Sequence, residues 1–147
     1  MGRGRGQGSI GIEWMRADPL ARAIAIEARP DRAARVSRNA AALGVPGLEV
    51  ITGTAPAALG SLPRPDAVFV GGGLTSGVAE ACWQRLPPGG RLVAHSVTVE
   101  SEALLCRLRQ AEGGRLVKVA LSHLEPLGRF TTWRPALPVT QWQVTKP

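Results

Sequence analysis

The feature that most constrains this chain is a regular alternation of short apolar runs with segments of helical character. The apolar runs have the length of β-strands and are Ala23–Ile26, Leu48–Ile51, Asp66–Val70 and Arg91–Ser96. The helical segments are Ser9–Arg16, Pro30–Leu43, Val78–Leu86 and Glu100–Glu112. Strands that alternate with helices predict an α/β fold, in which a mostly parallel sheet is built with right-handed crossovers.

The pattern changes near the end of the sequence. Leu116–Ser122 and Val139–Val144 follow one another with no helix between them, so we expect them to pair antiparallel and to add an antiparallel final strand to the sheet. The chain has 147 residues, the size of one compact domain, and it contains no internal repeat. We therefore predict a single doubly wound domain over residues 1–147, in which ligands bind beyond the carboxyl ends of the strands.

Several classes of protein are disfavoured by composition. Cys82 and Cys106 are isolated, which supports neither a disulfide framework nor a zinc site and favours a reduced, cytoplasmic setting. The longest uncharged apolar stretch, Ala67–Ala79, is interrupted by three glycines and is shorter than the roughly 20 residues that span a bilayer. No apolar segment typical of a secretory leader follows the basic amino terminus. We predict no membrane association.

The net charge of +7 has two interpretations. It is typical of a protein with an anionic partner. It also follows from a compositional bias, because nearly all the cations are arginines in a chain rich in alanine, glycine and proline. Composition alone leaves both interpretations open.

Glycines and an acidic residue mark the ends of the first elements. Gly4, Gly6 and Gly8 alternate just before the first helical segment, where free N–H groups and missing Cβ atoms suit an anionic or nucleotide ligand. Glu27 closes the following strand 19 residues after Gly8 (27 − 8), near the spacing of about 20 for an acid that binds ribose hydroxyls. This predicts an adenosine cofactor. The alternatives are a disordered Gly/Arg tail and a solvated acid at a strand end.

Three later strand ends also carry candidate residues. Gly53, Thr54 and Ala55 could bring backbone N–H groups to an adenine ring, or form an ordinary turn. The triple glycine Gly71–Gly73 leaves bare backbone after a buried strand, which suits the approach of a bulky substrate. His95 is a candidate proton donor, although a lone histidine is more often structural. The sequence has no P-loop, Ser/His/Asp order, metal-ligand spacing, or Asp/Asn-Pro-Pro-aromatic motif after the strand that ends at Val70.

Taken together, these residues give a sequence that resembles the decarboxylating precorrin-6Y methyltransferases of cobalamin biosynthesis. The similarity is to their Rossmann-like, class I S-adenosylmethionine-dependent methyltransferase domain. The segments that carry it are Gly6–Trp14, Ala25–Glu27, Asp66–Gly73, Gly90–Glu102 and Leu127–Trp142. The family methylates ring carbons of a reduced tetrapyrrole and decarboxylates an acetate side chain.

The resemblance implies roles for individual residues. Gly4, Gly6 and Gly8 would line the methionine part of the cofactor, Glu27 would hold the ribose, and Thr54 and Ala55 would border the adenine. Gly71, Gly72 and Gly73 would form the floor where the methyl group meets the tetrapyrrole. Methyl transfer chiefly requires alignment of the reactants, whereas decarboxylation benefits from a proton donor, for which His95 is the candidate. Arg129 and Arg134 are expected to pair with substrate carboxylates.

The sequence departs from the family pattern at its beginning. Gly2 stands where family members end a hydrophobic strand with an acidic residue, so the first strand is apparently missing and we hypothesise an N-terminally truncated product. Thr54 stands where many methyltransferases carry aspartate. Two alternatives remain: a methyltransferase for another acceptor such as RNA, which the basic charge permits, and a non-catalytic Rossmann-like binding module. A nicotinamide-binding protein fits the antiparallel end less well. Because related domains form homo-oligomers, the resemblance also implies a homo-oligomer.

Overall fold

A computed structural model describes residues 8–147. These residues form two compact units, which divide between Pro63 and Arg64. Within the described residues, no helix is long and apolar enough to cross a membrane.

The first unit consists of two helices and a pair of parallel strands. Its elements are α1 (Ser9–Ala17), β1 (Ile24–Glu27), α2 (Pro30–Ala42), β2 (Glu49–Thr52) and a 3₁₀ turn (Ala57–Leu59). β1 and β2 pair in register from Ile24 opposite Glu49 to Glu27 opposite Thr52. Pro30 begins α2, where its missing N–H is not needed.

The core of the first unit is built from one face of each helix. Ile12 of α1 and Val36 and Ala40 of α2 are buried together with Leu48, and partly buried apolar residues of β1 and β2 pack against them. Burial of such aliphatic side chains contributes about 1.5–3 kcal/mol each, so this cluster is what holds the helices on the two strands.

The second unit contains a four-stranded sheet and a separate hairpin. Its elements are β3 (Ala67–Val70), α3 (Ser76–Arg85), β4 (Arg91–Ser96), α4 (Val99–Glu112), β5 (Arg115–Val119), β6 (Ser122–Leu127), β7 (Phe130–Pro135) and β8 (Val139–Thr145). The sheet has the order β3-β4-β8-β5. β3 and β4 are parallel, whereas β8 is antiparallel to both of its neighbours.

One face of this sheet is closely packed. Alternate residues of β4 and β8 are buried, and Ala94 lies opposite Trp142 in the register. Helix α4 packs on both strands, and the Trp142 indole donates a hydrogen bond of 2.9 Å to the Gly113 carbonyl. The indole N–H is therefore satisfied although Trp142 is only 1% exposed.

The predicted alternation of strands and helices and the antiparallel final strand are confirmed. Most boundaries move by one or two residues, and α3 starts at Ser76 because Thr75 caps it. The parallel strands lie in separate sheets: among the described residues, β1 pairs with β2 alone and β3 with β4 alone. No strand precedes α1 in the part of the chain that the structure describes.

The hairpin formed by β6 and β7 was not predicted. The strand expected to run through Ser122 ends at Val119, and the chain then forms two strands joined at Gly128, which has a φ of 62°. Pro126 and Pro135 lie within these strands and obscure their pattern in the sequence. A hydrogen bond of 2.8 Å from the Ala136 N–H to the Leu121 carbonyl closes the base of the hairpin.

Candidate cofactor and acceptor sites

Gly8 stands at the start of α1 in a conformation that favours glycine. It is the N-cap residue, with φ 72° and ψ 9°, and it contributes no side-chain cap to the helix. A Cβ at this position would collide with the Val36 side chain. Bare backbone and the first-turn N–H groups of a helix therefore meet here, which suits a cofactor that approaches closely. The predicted partners Gly4 and Gly6 lie outside the described residues.

Glu27 is held in place at the carboxyl end of β1. It is half-buried, and its Oε1 accepts a hydrogen bond of 3.0 Å from the Arg29 N–H. The Glu27 carbonyl accepts another bond of 3.0 Å from the Gly53 N–H. The first bond uses only one of the two carboxylate oxygens, and it orients the Glu27 side chain. This is a structural role that Glu27 has in addition to its predicted binding role.

Thr54 and Ala55 follow the neighbouring strand at the same edge of the parallel pair. Both residues are exposed, and the Thr54 carbonyl accepts a bond of 2.9 Å from the Ala58 N–H at the start of the 3₁₀ turn. The first unit therefore brings Glu27 and the Thr54 loop to the same edge, as predicted from the parallel arrangement of β1 and β2.

In the second unit, Gly71, Gly72 and Gly73 form an exposed loop between β3 and α3. Gly73 has a φ of 70°, and a Cβ on Gly71 would lie 2.8 Å from Cε1 of Phe69. Thr75 ends the loop by accepting a bond of 3.2 Å from the Val78 N–H. Backbone without side chains is thus exposed at the carboxyl end of β3, and the role of this loop as an acceptor floor stays a prediction.

His95 lies near the end of β4, on the sheet face opposite the buried one. Its Nε2 donates to Gln141 Oε1 on β8 at 2.7 Å, and its ring meets that of Phe69 edge-on at 4.8 Å. This geometry fixes the imidazole through two neighbouring strands. The predicted role of His95 as a proton donor remains a prediction.

Arg129 and Arg134 lie on the hairpin, and both side chains contact other residues of the hairpin. Arg134 forms an ion pair of 2.7 Å with Glu125, and the Arg129 guanidinium lies 5.3 Å from the centre of the Phe130 ring. The ion pair between Arg134 and Glu125 is exposed. Little free energy is therefore lost when Arg134 exchanges the Glu125 carboxylate for one of the substrate. The hairpin follows β5, whose carboxyl end lies at the same edge of the sheet as those of β3 and β4.

Two groups with shifted pKa values lie in the second unit. Hydrogen bonds from Lys118 and Thr140 hold the pKa of Glu102 below its ordinary value. The donor-to-oxygen distances are 2.8 Å from Lys118 and 2.6 Å from Thr140. Burial raises the pKa of the Cys82 thiol, which is typical of an unreactive core cysteine. Within residues 8–147 no three His, Cys, Asp or Glu side chains are grouped to hold a metal ion.

Sequence reasoning assigned no role to the residues between β4 and α4, although they lie in the segment Gly90–Glu102 that carries the resemblance. Val97 in this turn and Val99, the first residue of α4, are exposed, by 48% and 80%. Their place was predictable, because Ser96 ends a predicted strand and Thr98 is a capping residue type. The exposure of the two valines was not predictable, because valines in a short apolar run are ordinarily assigned to the core.

The described elements form the class I S-adenosylmethionine-dependent methyltransferase fold. A family model described as a precorrin methyltransferase domain matches residues 3–146. The chain therefore belongs to the precorrin methyltransferase domain family.

Named relatives agree with this assignment. The chain is 54% identical to a precorrin-6Y C(5,15)-methyltransferase [decarboxylating] of a Sinorhizobium species, over 97% of this chain and 35% of the relative. It is 30% identical to a cobalt-precorrin-6B C(15)-methyltransferase (decarboxylating) of Salmonella typhimurium, over 92% of this chain and 72% of the relative. The crystal structure of the C-terminal domain of precorrin-6Y C5,15-methyltransferase from Rhodobacter capsulatus matches with a TM-score of 0.88 and 42% identity, covering 95% of this chain and 76% of that one. The chain thus spans about a third of the first relative's length.

Proposed function

We propose that this chain is an S-adenosylmethionine-dependent C-methyltransferase domain that acts on a precorrin, with decarboxylation of an acetate side chain, in cobalamin biosynthesis. The proposal is supported by family membership and by the names of the relatives. The observation that carries it is the oriented Glu27 carboxylate at the end of β1, beside the Thr54 loop. An acid held in this way suits two neighbouring hydroxyl groups.

The residues of the first unit are assigned to the cofactor. Gly8 and the start of α1 would receive its methionine part, Glu27 would accept hydrogen bonds from the ribose, and Thr54 and Ala55 would border the adenine. S-adenosylmethionine supplies an electrophilic methyl group when bound. Because displacement at a methyl carbon needs no base, the chain's contribution is to position the reactants and to exclude water.

The residues of the second unit are assigned to the acceptor. Gly71 would border the cofactor, and Gly72 and Gly73 would let the tetrapyrrole approach bare backbone. His95 is the proposed proton donor for decarboxylation. Arg129 and Arg134 would exchange their present contacts for carboxylates of the substrate.

Calorimetric titration with S-adenosylhomocysteine tests the cofactor assignment. We expect saturable micromolar binding that is lost in Glu27→Ala. Glu49→Ala is the matched control, because Glu49 is exposed at the opposite end of the same strand pair. A folded chain that does not bind, or that binds equally after Glu27→Ala, would contradict the assignment.

We also propose that the chain forms a homo-oligomer through its hairpin. Leu124 and Trp133 lie opposite each other across β6 and β7 and are 58% and 67% exposed. A two-stranded hairpin is marginal in water unless it is covered. Light scattering should therefore report an assembly that Trp133→Ser weakens, and a monomeric wild-type chain would refute this.

The two cysteines, which form no disulfide, support the proposal of a cytoplasmic location.

A further inference from the structure

The turn between β4 and α4 is fixed by hydrogen bonds. Ser96 is 5% exposed, and its hydroxyl donates to the Thr98 carbonyl at 2.9 Å. Thr98 Oγ1 accepts from the Ser101 N–H at 3.2 Å and donates to the Ser101 hydroxyl at 3.1 Å. The conformation of this turn is therefore set without any contribution from the two valines that flank Thr98.

Those valines are exposed at the carboxyl end of β4. Val97 is 48% and Val99 80% exposed. Val119, the last residue of β5, and Leu121, just beyond it, are 47% and 59% exposed at the same edge, where β8 separates β5 from β4. A single exposed valine needs no explanation, but several at one sheet edge are typical of a surface that a ligand or another chain covers.

The surroundings of this edge define the chemistry of that ligand. β3 is the parallel neighbour of β4, so the loop Gly71–Gly73, which follows β3, leaves the sheet at the same edge as the turn that follows β4. Cationic side chains follow on the hairpin that continues from β5, at Arg129 and Arg134. Apolar side chains and bare backbone at one sheet edge, in a unit whose hairpin carries arginines, suit an apolar ring system with carboxylates at its rim.

We propose that Val97 and Val99 are specificity-determining residues that contact the apolar face of the tetrapyrrole acceptor. This rests on the proposed function and extends it to two side chains that take no part in the chemistry. Both are β-branched and stand on a fixed turn, so they lose little conformational entropy when a ring covers them. Their contacts have no direction, so they select an apolar ring face rather than one pattern of substituents.

The test uses uroporphyrin, a stable tetrapyrrole polycarboxylate, as the fluorescent probe of acceptor binding. The variant Val97→Thr/Val99→Thr keeps the branched shape of both side chains and replaces a methyl group by a hydroxyl. We expect its affinity for uroporphyrin to fall about tenfold. Its affinity for S-adenosylhomocysteine should stay within about twofold. In a methyl-transfer assay the same variant should raise KM for the acceptor and leave kcat nearly unchanged.

Two controls separate this effect from folding. Leu20→Thr changes an apolar residue of the first unit that is 89% exposed, and it should alter neither affinity. Val99→Ile keeps an apolar side chain and should keep uroporphyrin binding. Equal uroporphyrin affinity in the double threonine variant and the wild type, or no uroporphyrin binding by the wild type, would overturn the role of the valines. Loss of S-adenosylhomocysteine binding in the wild type would instead overturn the proposed function.

Discussion

At the scale of single residues, Gly8 combines a candidate binding role with a steric one. The glycine pattern of the sequence points to this position, but it does not show that Val36 occupies the space where a Cβ would stand. That contact depends on how α1 and α2 pack, which no local pattern contains. The glycine is therefore required by the fold of the first unit as well as by the proposed cofactor.

Gly8→Ala should lower the free energy of unfolding by about 3 kcal/mol, from a left-handed backbone and overpacking together. The matched control is Gly44→Ala, because Gly44 also has a positive φ, of 81°, but has nothing within 4 Å of an added Cβ. Gly44→Ala should lower the free energy of unfolding by only about 1 kcal/mol. Urea denaturation of both variants gives the comparison, and equal losses would show that contact with Val36 does not matter.

Glu102 is a second residue whose role depends on the tertiary structure. Its lowered pKa means that its contribution to stability is fully present above its ordinary pKa of 4.5 and is lost as the pH falls through the lower folded value. Glu102→Gln should therefore be less stable than the wild type at neutral pH, and the gap should close below about pH 4.5. Glu100→Gln removes a charge from the same helical turn and controls for the helix dipole. A difference in stability between Glu102→Gln and the wild type that persists unchanged at low pH would contradict this role of the Glu102 carboxylate.

At the scale of elements, the end of α3 is held by a residue from the far end of the chain. Lys146 Nζ donates to the carbonyls of Trp83 and Leu86 at 2.8 Å each and lies 5.6 Å from the centre of the Trp83 ring. These carbonyls belong to the last turn of the helix, where a cation is favoured. The contact ties α3 to the strand β8 that precedes Lys146.

Lys146→Met keeps the aliphatic stem and removes the charge and both hydrogen bonds. It should lower the free energy of unfolding by about 2 kcal/mol, because two carbonyls at the helix end lose a charged donor. Arg107→Met, at an exposed position of α4, controls for the change in net charge and should fall within about 0.5 kcal/mol of the wild type. Equal stability of the Lys146 variant and the wild type in urea would refute the proposed role.

The elements also show how far sequence reasoning reaches. Helices and strands with a regular pattern are predictable, because hydrophobic periodicity and residues that begin helices, such as Pro30, act locally. The hairpin was missed because its strands expose apolar residues such as Leu124 and Phe130 and contain prolines, so no buried face produces an alternation. The contact of His95 with Gln141 joins residues 46 positions apart, a distance over which a single sequence carries no pairing signal.

At the scale of the whole molecule, the prediction of one domain over residues 1–147 means that the chain should unfold cooperatively. Calorimetric unfolding should show a single transition if the two units unfold together. S-adenosylhomocysteine at about 100 times its Kd should stabilise the chain by about 2.7 kcal/mol, which corresponds to a rise of about 8 °C in Tm. Two transitions would refute a single domain, whereas an unchanged Tm at saturating ligand would count against the cofactor assignment alone.

The position of β8 has a consequence for how the protein is made. β8 follows the other seven described strands in the sequence, yet it lies between β4 and β5 and bonds to both. While the ribosome is still translating, β4 and β5 have no partner between them, and the edges that they present to β8 stay unpaired until β8 has emerged. The four-stranded sheet therefore closes only after its last strand has been synthesised, and a nascent chain halted before Val139 would present unpaired strand edges to chaperones and proteases.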